Sequence, residues 1–200
     1  MDNSSNFIRL CGSPTGRPQF SHMTHEGAVY VFPLTVERLS GTEDVINVEA
    51  LRDELKNVEL TGGENLAVTG EVCSFNNRSG KGPKLVITVR ARTMEFTDAE
   101  HDNVAELTGT ICKTPVFRRT PMGREICDIM LAVNRKAGRS DYIPCIAWGQ
   151  LAEEAREWSV GTEVDILGRL QSRRYIKNEN DLPVEKVAYE VSVVNIKKHE

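Results

Sequence analysis

The sequence predicts a mostly β protein built from two tandem copies of one small barrel. Three observations carry this: an internal repeat, the same order of elements in each copy, and strand-like alternation along both. The repeat is the firmest. "LCG" at Leu10–Gly12 returns as "LTG" at Leu107–Gly109, an offset of 97. The same offset takes Pro18 to Pro115, Phe20 to Phe117, Leu34 to Leu131, Arg38 to Arg135, Asp44 to Asp141 and Ile46 to Ile143. After a one-residue insertion it becomes 98, taking Val68, Gly70 and Ser74 to Ile166, Gly168 and Ser172. So long a period excludes a solenoid and indicates a duplicated domain. A chain of 200 residues has room for two domains of about 100 each.

In the second copy, alternating segments run over 105–118, 126–134 and 142–147, each with the period of two that a half-buried strand shows. A helix is expected over Gln150–Trp158, where Leu151, Ala155 and Trp158 recur at helical spacing. "SVGTEVDILGRLQSRRY" opens with a turn at Gly161 and becomes a strand with Val164, Ile166 and Leu170 on one face. The polar "KNENDLP" then leads to a last strand, "KVAYEVSVVNIKK". The first copy repeats the order, with "ALRDELKN" as its helix and "NNRSGKGPK" as the tip of its final hairpin. Five strands with one helix between the third and fourth is the order of the OB-fold, a Greek-key barrel used on oligonucleotides and oligosaccharides. The expected organisation is a first barrel over 1–98, a polar acidic linker over 99–105 and a second barrel over 106–200.

Composition narrows the function classes. Hydrophobic residues make up 40% and charged ones 27%, as in an ordinary soluble globular protein. No apolar run approaches the ~18 to 20 residues of a membrane span. "MDNSSNFIRL" has neither the basic start nor the long apolar core of a secretory signal, so a cytoplasmic location is expected. Five cysteines with no C-x-x-C spacing argue against a disulfide framework and a zinc ribbon; Cys127 and Cys145 read as small hydrophobes in strands. His22 and His25 in "HMTH" lack a local partner for a metal and read as turn residues. Phosphate-loop, zinc-protease and nucleophile-elbow motifs are absent, so no enzyme, cofactor or metal is expected.

Charge is distributed unevenly. Residues 1–102 hold 10 Lys/Arg against 15 Asp/Glu, and 103–200 hold 15 against 14. Between Lys113 and Arg139 there are seven basic residues and two acidic ones. Clustering of this kind is the footprint of a polyanion partner, which the overall charge of −4 conceals. On the same half, Tyr142 and Trp148 stand six residues apart in "DYIPCIAW", an even separation that puts both rings on one face of a strand. Either that face is core, or it presents rings for something flat to lie on; Ile143, Cys145 and Ala147 can supply the inward side chains.

"ELTGTICKTPVFRRTPMGREICDIMLAVNR" resembles the first two strands of bacterial single-stranded DNA-binding proteins, and "DYIPCIAWGQLAEEAREW" with "VGTEVDILGRLQSRRY" is similar to their third strand, helix and fourth strand. The resemblance covers most of the second copy; the overall likeness is to the tandem-barrel members of clostridia-like bacteria. It implies sequence-independent binding of single-stranded DNA in replication, recombination or repair, in a cytoplasmic, nucleoid-associated protein. It also implies base stacking by Tyr142, Trp148 and Tyr175. Phosphate contacts are expected from Arg118 and Arg173, joined by neighbouring Arg119, Arg124, Arg135, Lys136, Arg169 and Lys177.

Two departures stand out. Pro144 occupies a position that is often basic in the family, and "VVNIKKHE" lacks the acidic tail that recruits partner enzymes, so that route of recruitment is not expected. By the offsets, Tyr142, Trp148, Tyr175, Arg118 and Arg119 become Val45, Leu51, Asn77, Ser21 and His22. The first copy keeps Arg38 and a basic loop of Arg78, Lys81 and Lys84. It is therefore expected to bind weakly and to support assembly, with a homodimer providing four barrels. An interaction scaffold, or a replication-restart or RNA-binding protein on the same fold, is the alternative reading.

Overall fold

The computed structural model describes residues 5–55, 63–79, 82–135, 138–179 and 182–199, with the side chains of 177–179 and 182 excepted. The N-terminal copy runs β1 (Asn6–Pro14), β2 (Gln19–Thr24), β3 (Gly27–Glu37), β4 (Glu43–Leu51), α1 (Arg52–Leu55), β5 (Asn65–Asn76) and β6 (Leu85–Thr97). The C-terminal copy runs β7 (Asp102–Ile111), β8 (Val116–Arg119), β9 (Glu125–Asn134), β10 (Ser140–Trp148), α2 (Gln150–Ala155), β11 (Glu163–Glu179) and β12 (Leu182–Lys198). Within the first, strands neighbour one another in the order β2-β3-β4-β6-β5-β1, and a β1–β3 pairing closes the barrel. Within the second the order is β7-β11-β12-β10-β9-β8, closed by β7–β9. These are two OB-fold barrels with one topology.

The single first strand expected in each copy is broken. Cys112–Pro115 separates β7 from β8, and Thr15–Pro18 separates β1 from β2. Proline lacks the N–H a ladder needs, so Pro18 and Pro115 fall where pairing lapses and the strand changes partners. β7 pairs with β11 and, at its end, with β9 through Thr110↔Ala132; β8 pairs along the other end of β9.

The helix is shorter than expected, ending at Ala155, and it buries Ala152 and Ala155 rather than Leu151 and Trp158. The hairpin is longer. The stretch "KNE" continues β11, and Asn178↔Pro183 and Glu179↔Leu182 extend its pairing with β12. The end of the expected first-copy helix (Lys56, Asn57) lies outside the described residues.

Alternation places the two cores. Leu10, Phe32, Leu34, Ile46, Leu66 and Val68 are sealed in the first; Leu107, Ile111, Leu131, Ile143, Leu170 and Val191 in the second. Each such side chain contributes about 1.5–3 kcal/mol by leaving water. Cys127 and Cys145 belong to the second core, where burial pushes the Cys127 thiol up to about 11. Both copies also bury an aspartate against an arginine: Asp44 with Arg38, and Asp141 with Arg135. No helix among the described residues is long and apolar enough to cross a membrane.

Contacts divide the chain into two compact units. One comprises Met1–Asn6, Ser74–Ile87 and Ala105–Glu200; the other Phe7–Cys73 and Thr88–Val104. The tip of the β5–β6 hairpin thus belongs with the C-terminal barrel. β7 begins at Asp102, inside the stretch expected as linker.

The repeated glycines mark close crossings. A Cβ on Gly109 would meet the carbonyl of Ala132, and one on Gly168 the carbonyl of Ser192; Gly12 and Gly70 meet Thr35 and Arg90 in the same way. Gly168→Val should lower stability by about 1–3 kcal/mol through overpacking against backbone. A urea midpoint that does not move would show the crossing to be looser than described.

Candidate nucleic-acid interface

Register assembles one face of the C-terminal barrel. The pairs Arg169↔Ser192, Ile146↔Ser192, Ile146↔Asp128 and Val116↔Asp128 make a row across β11, β12, β10, β9 and β8. Steps of two residues from that row stay on the same face. They reach Arg118 on β8, Tyr142 and Trp148 on β10, Arg173 and Tyr175 on β11 and Glu190 on β12. Arg119 has the opposite parity on edge strand β8, Arg124 lies in the turn before β9 and Arg135 lies just past its end.

The two rings on β10 are open to solvent, Tyr142 at 47% and Trp148 at 38% exposure, while Ile143, Cys145 and Ala147 between them are sealed. Six residues of strand separate them by about 20 Å, too far for one flat ring to rest on both. Tyr175 is half-buried, with the Arg173 guanidinium 5.6 Å from its ring centroid. Pro144 lies opposite Met130 of β9, and the parallel pairing of β10 with β12 runs from Cys145, one residue later.

Tyr142 is held by a buried network. Its N–H donates to Ser74 Oγ at 2.7 Å. The Ser74 N–H donates to Asp141 Oδ1 at 2.5 Å. Arg135 Nε donates to Asp141 Oδ2 at 2.5 Å, and its Nη2 donates to the Ser74 carbonyl at 3.3 Å. Asp141 is 1% exposed. Arg135 therefore braces the backbone at Tyr142, a structural engagement beyond the phosphate contact expected of it.

Other arginines also have acidic neighbours. Arg118 donates twice to Asp128, at 2.6 and 3.1 Å, and this charge-assisted pair raises its pKa. Arg119 pairs with Glu125 at 2.7 Å, and Arg173 lies 3.5 Å from Glu190. Arg124 and Arg169 are exposed and have no acidic partner among the described residues. Lys136, Lys81 and the side chain of Lys177 lie outside the described residues.

A groove of about 900 Å³ adjoins this face, lined by Pro144, Tyr175, Lys186 and the hairpin residues Asn77, Arg78 and Lys84 among others. Two exposed rings of the first copy escaped sequence reasoning: Phe20, at 58% exposure and edge-on to Tyr30, and Phe75, at 50%. Phe20 repeats as Phe117, which is half-buried beneath Arg156, and Phe75 repeats as Arg173. Comparing only positions where the second copy has rings could not find Phe75, while the match of Phe20 to Phe117 marks the repeat and says nothing of exposure.

The single-strand binding protein family model matches residues 102–198. The match covers just under half of the chain and falls on the C-terminal barrel. Single-stranded DNA-binding protein 3 of Streptococcus agalactiae is 37% identical over 76 residues, covering 34% of this chain and 55% of the relative. The single-stranded DNA-binding protein of Halalkalibacterium halodurans is 32% identical over 84 residues, covering 38% of this chain and 50% of the relative. The chain thus spans about half the length of these curated relatives. Among solved structures, a deletion mutant of the single-stranded DNA-binding protein from Thermus aquaticus superposes with a TM-score of 0.78 at 23% identity, covering 100% of this chain and 97% of that one. Its wild-type form gives 0.77 at 22% identity, covering 98% and 93%. At that identity the likeness shows the fold, over both barrels.

The outward face carries its own pH lever. Burial pushes the Glu190 carboxyl up, opposed by Arg173 and reinforced by Asp128. Its folded pKa exceeds its unfolded one, so the folded state gains stability as pH falls through the raised value. Protonation also removes a negative charge beside Arg173. Polyanion affinity should therefore rise as pH drops from neutrality toward the glutamate range. Glu190→Gln should bind more tightly at neutral pH and flatten that profile in a titration at fixed salt. Loss of affinity in this variant would contradict the assignment.

Proposed function

We propose that the chain binds single-stranded DNA without sequence preference, protecting it in the cytoplasm during replication, recombination or repair. The observation that carries this is the shared outward face of Tyr142, Trp148, Arg118, Arg173 and Tyr175, accessible on a barrel that the single-strand binding protein family model matches. An unpaired strand offers bases with a π-face and a phosphate backbone. Tyr142, Trp148 and Tyr175 stack bases; Arg118, Arg124, Arg169 and Arg173 meet phosphates, with Arg119 on the neighbouring edge of β8. Stacking tolerates every base, which makes the binding sequence-independent. The C-terminal barrel is the main binding domain, and a homodimer would give four barrels.

Intrinsic fluorescence tests the central reading. Oligo-dT should quench the protein, and the quench should shrink in Trp148→Phe, where Trp158 remains. Tyr142→Ala should weaken binding about tenfold, within the roughly 1–3 kcal/mol a stacked base contributes. Affinity should fall with salt, with a log–log slope of about −0.7 per phosphate engaged. Duplex DNA should compete poorly. No response to oligo-dT at low salt would favour an interaction scaffold, and preference for oligo-U would favour an RNA ligand. For assembly, light scattering should give the mass of two chains; a monomer at working concentration would remove the dimer.

A further inference from the structure

The open face of the C-terminal barrel is electrostatically mixed, because Arg118 and Arg173 each lie beside a carboxylate. The adjoining groove is different. Among the described residues its lining holds three cations (Arg78, Lys84 and Lys186), two tyrosines and no carboxylate, in a chain whose net charge is −4. Arg78 and Lys84 are exposed, and neither is paired with an acid among the described residues. Both come from the basic loop of the first copy, yet that hairpin is part of the same compact unit as the C-terminal barrel. Its root is fastened there by Ser74, which bonds both Asp141 and the N–H of Tyr142. The volume of about 900 Å³ lies at the upper end of what ligand sites enclose, about 300–1,000 Å³.

We propose that the hairpin Ser74–Ile87 completes the binding site of the C-terminal barrel, with Arg78 and Lys84 holding phosphates of the nucleotides whose bases reach Tyr175. This rests on the single-strand reading above and extends it. The basic loop of the first copy then works in the second copy's site, and the expected division of labour between the copies changes. A strand leaving Tyr142 passes Pro144 into a channel whose walls are cationic on the hairpin side and aromatic at Tyr175. Pro144 lines that channel and carries no charge, so the cations there come from the hairpin and from Lys186.

The test uses the full chain and fluorescein-labelled oligo-dT, with anisotropy read at several salt concentrations. Arg78→Ala/Lys84→Ala should lower affinity at least about tenfold and reduce the salt slope by about 1.4, the value for two phosphates on a single strand. Lys197→Ala/Lys198→Ala, which removes the same charge at the far end of β12, should change affinity less than about twofold, within ordinary screening of distant charges. Both hairpin residues are exposed, so the melting temperature should be that of the parent. Combining the hairpin variant with Tyr175→Ala should cost less than the sum of the separate losses. Equal effects of the hairpin and control variants, with Tyr142→Ala still damaging, would overturn the shared site and leave the single-strand reading standing. Failure of the parent to bind oligo-dT at low salt would overturn both.

Discussion

Asp141 is the group on which the C-terminal unit depends. A carboxylate at 1% exposure is expensive to bury, and it is tolerated only when its oxygens are satisfied. Here they accept from the Arg135 guanidinium and from the Ser74 N–H, so one charge fixes three pieces of chain. Ser74 passes the constraint on by accepting from Tyr142 N–H. The ring that faces solvent is thereby anchored at its backbone, and a base meeting it meets a surface already in place. Preorganisation of this kind cuts the entropy lost on binding.

The charges on the outward face follow a related logic. An arginine free in water samples many rotamers, and ordering it costs binding energy. Arg118 and Arg173 are held beside Asp128 and Glu190, so their guanidiniums are placed before a ligand arrives. The same acids offset part of the positive charge that this face presents. The groove beside Tyr175 differs in having no carboxylate in its lining among the described residues. Net charge is a poor guide to such a surface because it sums over faces that the strand alternation separates.

The duplication was legible because inward residues repeat: Leu34 and Leu131, Ile46 and Ile143, Val68 and Ile166 occupy matching core positions. Parity alone put Tyr142 and Trp148 on one side of β10, and the structure leaves both exposed. Other features were hidden for definite reasons. The breaks after β1 and β7 arise from barrel closure, which a local pattern does not report. The extension of β11 and β12 depends on cross-strand pairing, and "KNE" has no apolar alternation to reveal it. Arg135 looks like any surface cation until its partner is known, although the joint repetition of Arg38 with Asp44 and Arg135 with Asp141 was a readable sign of a pair. The grouping of Ser74–Ile87 with the C-terminal barrel is a long-range fact with no local signature.

The comparison between copies separates what folding requires from what binding requires. The Arg–Asp pair, the close-packed glycines and the sealed aliphatic rows persist in both, because each change there costs packing or leaves a buried charge without a partner. Outward positions bear no such cost. Tyr142 can be Val45, and Arg173 can be Phe75, without disturbing the barrel beneath. Surface chemistry is thus free to drift in one copy while the shared backbone is retained. That freedom also lets a barrel with fewer of the expected rings keep a useful basic hairpin, since the hairpin's value depends on the face it reaches and not on the face it grew from.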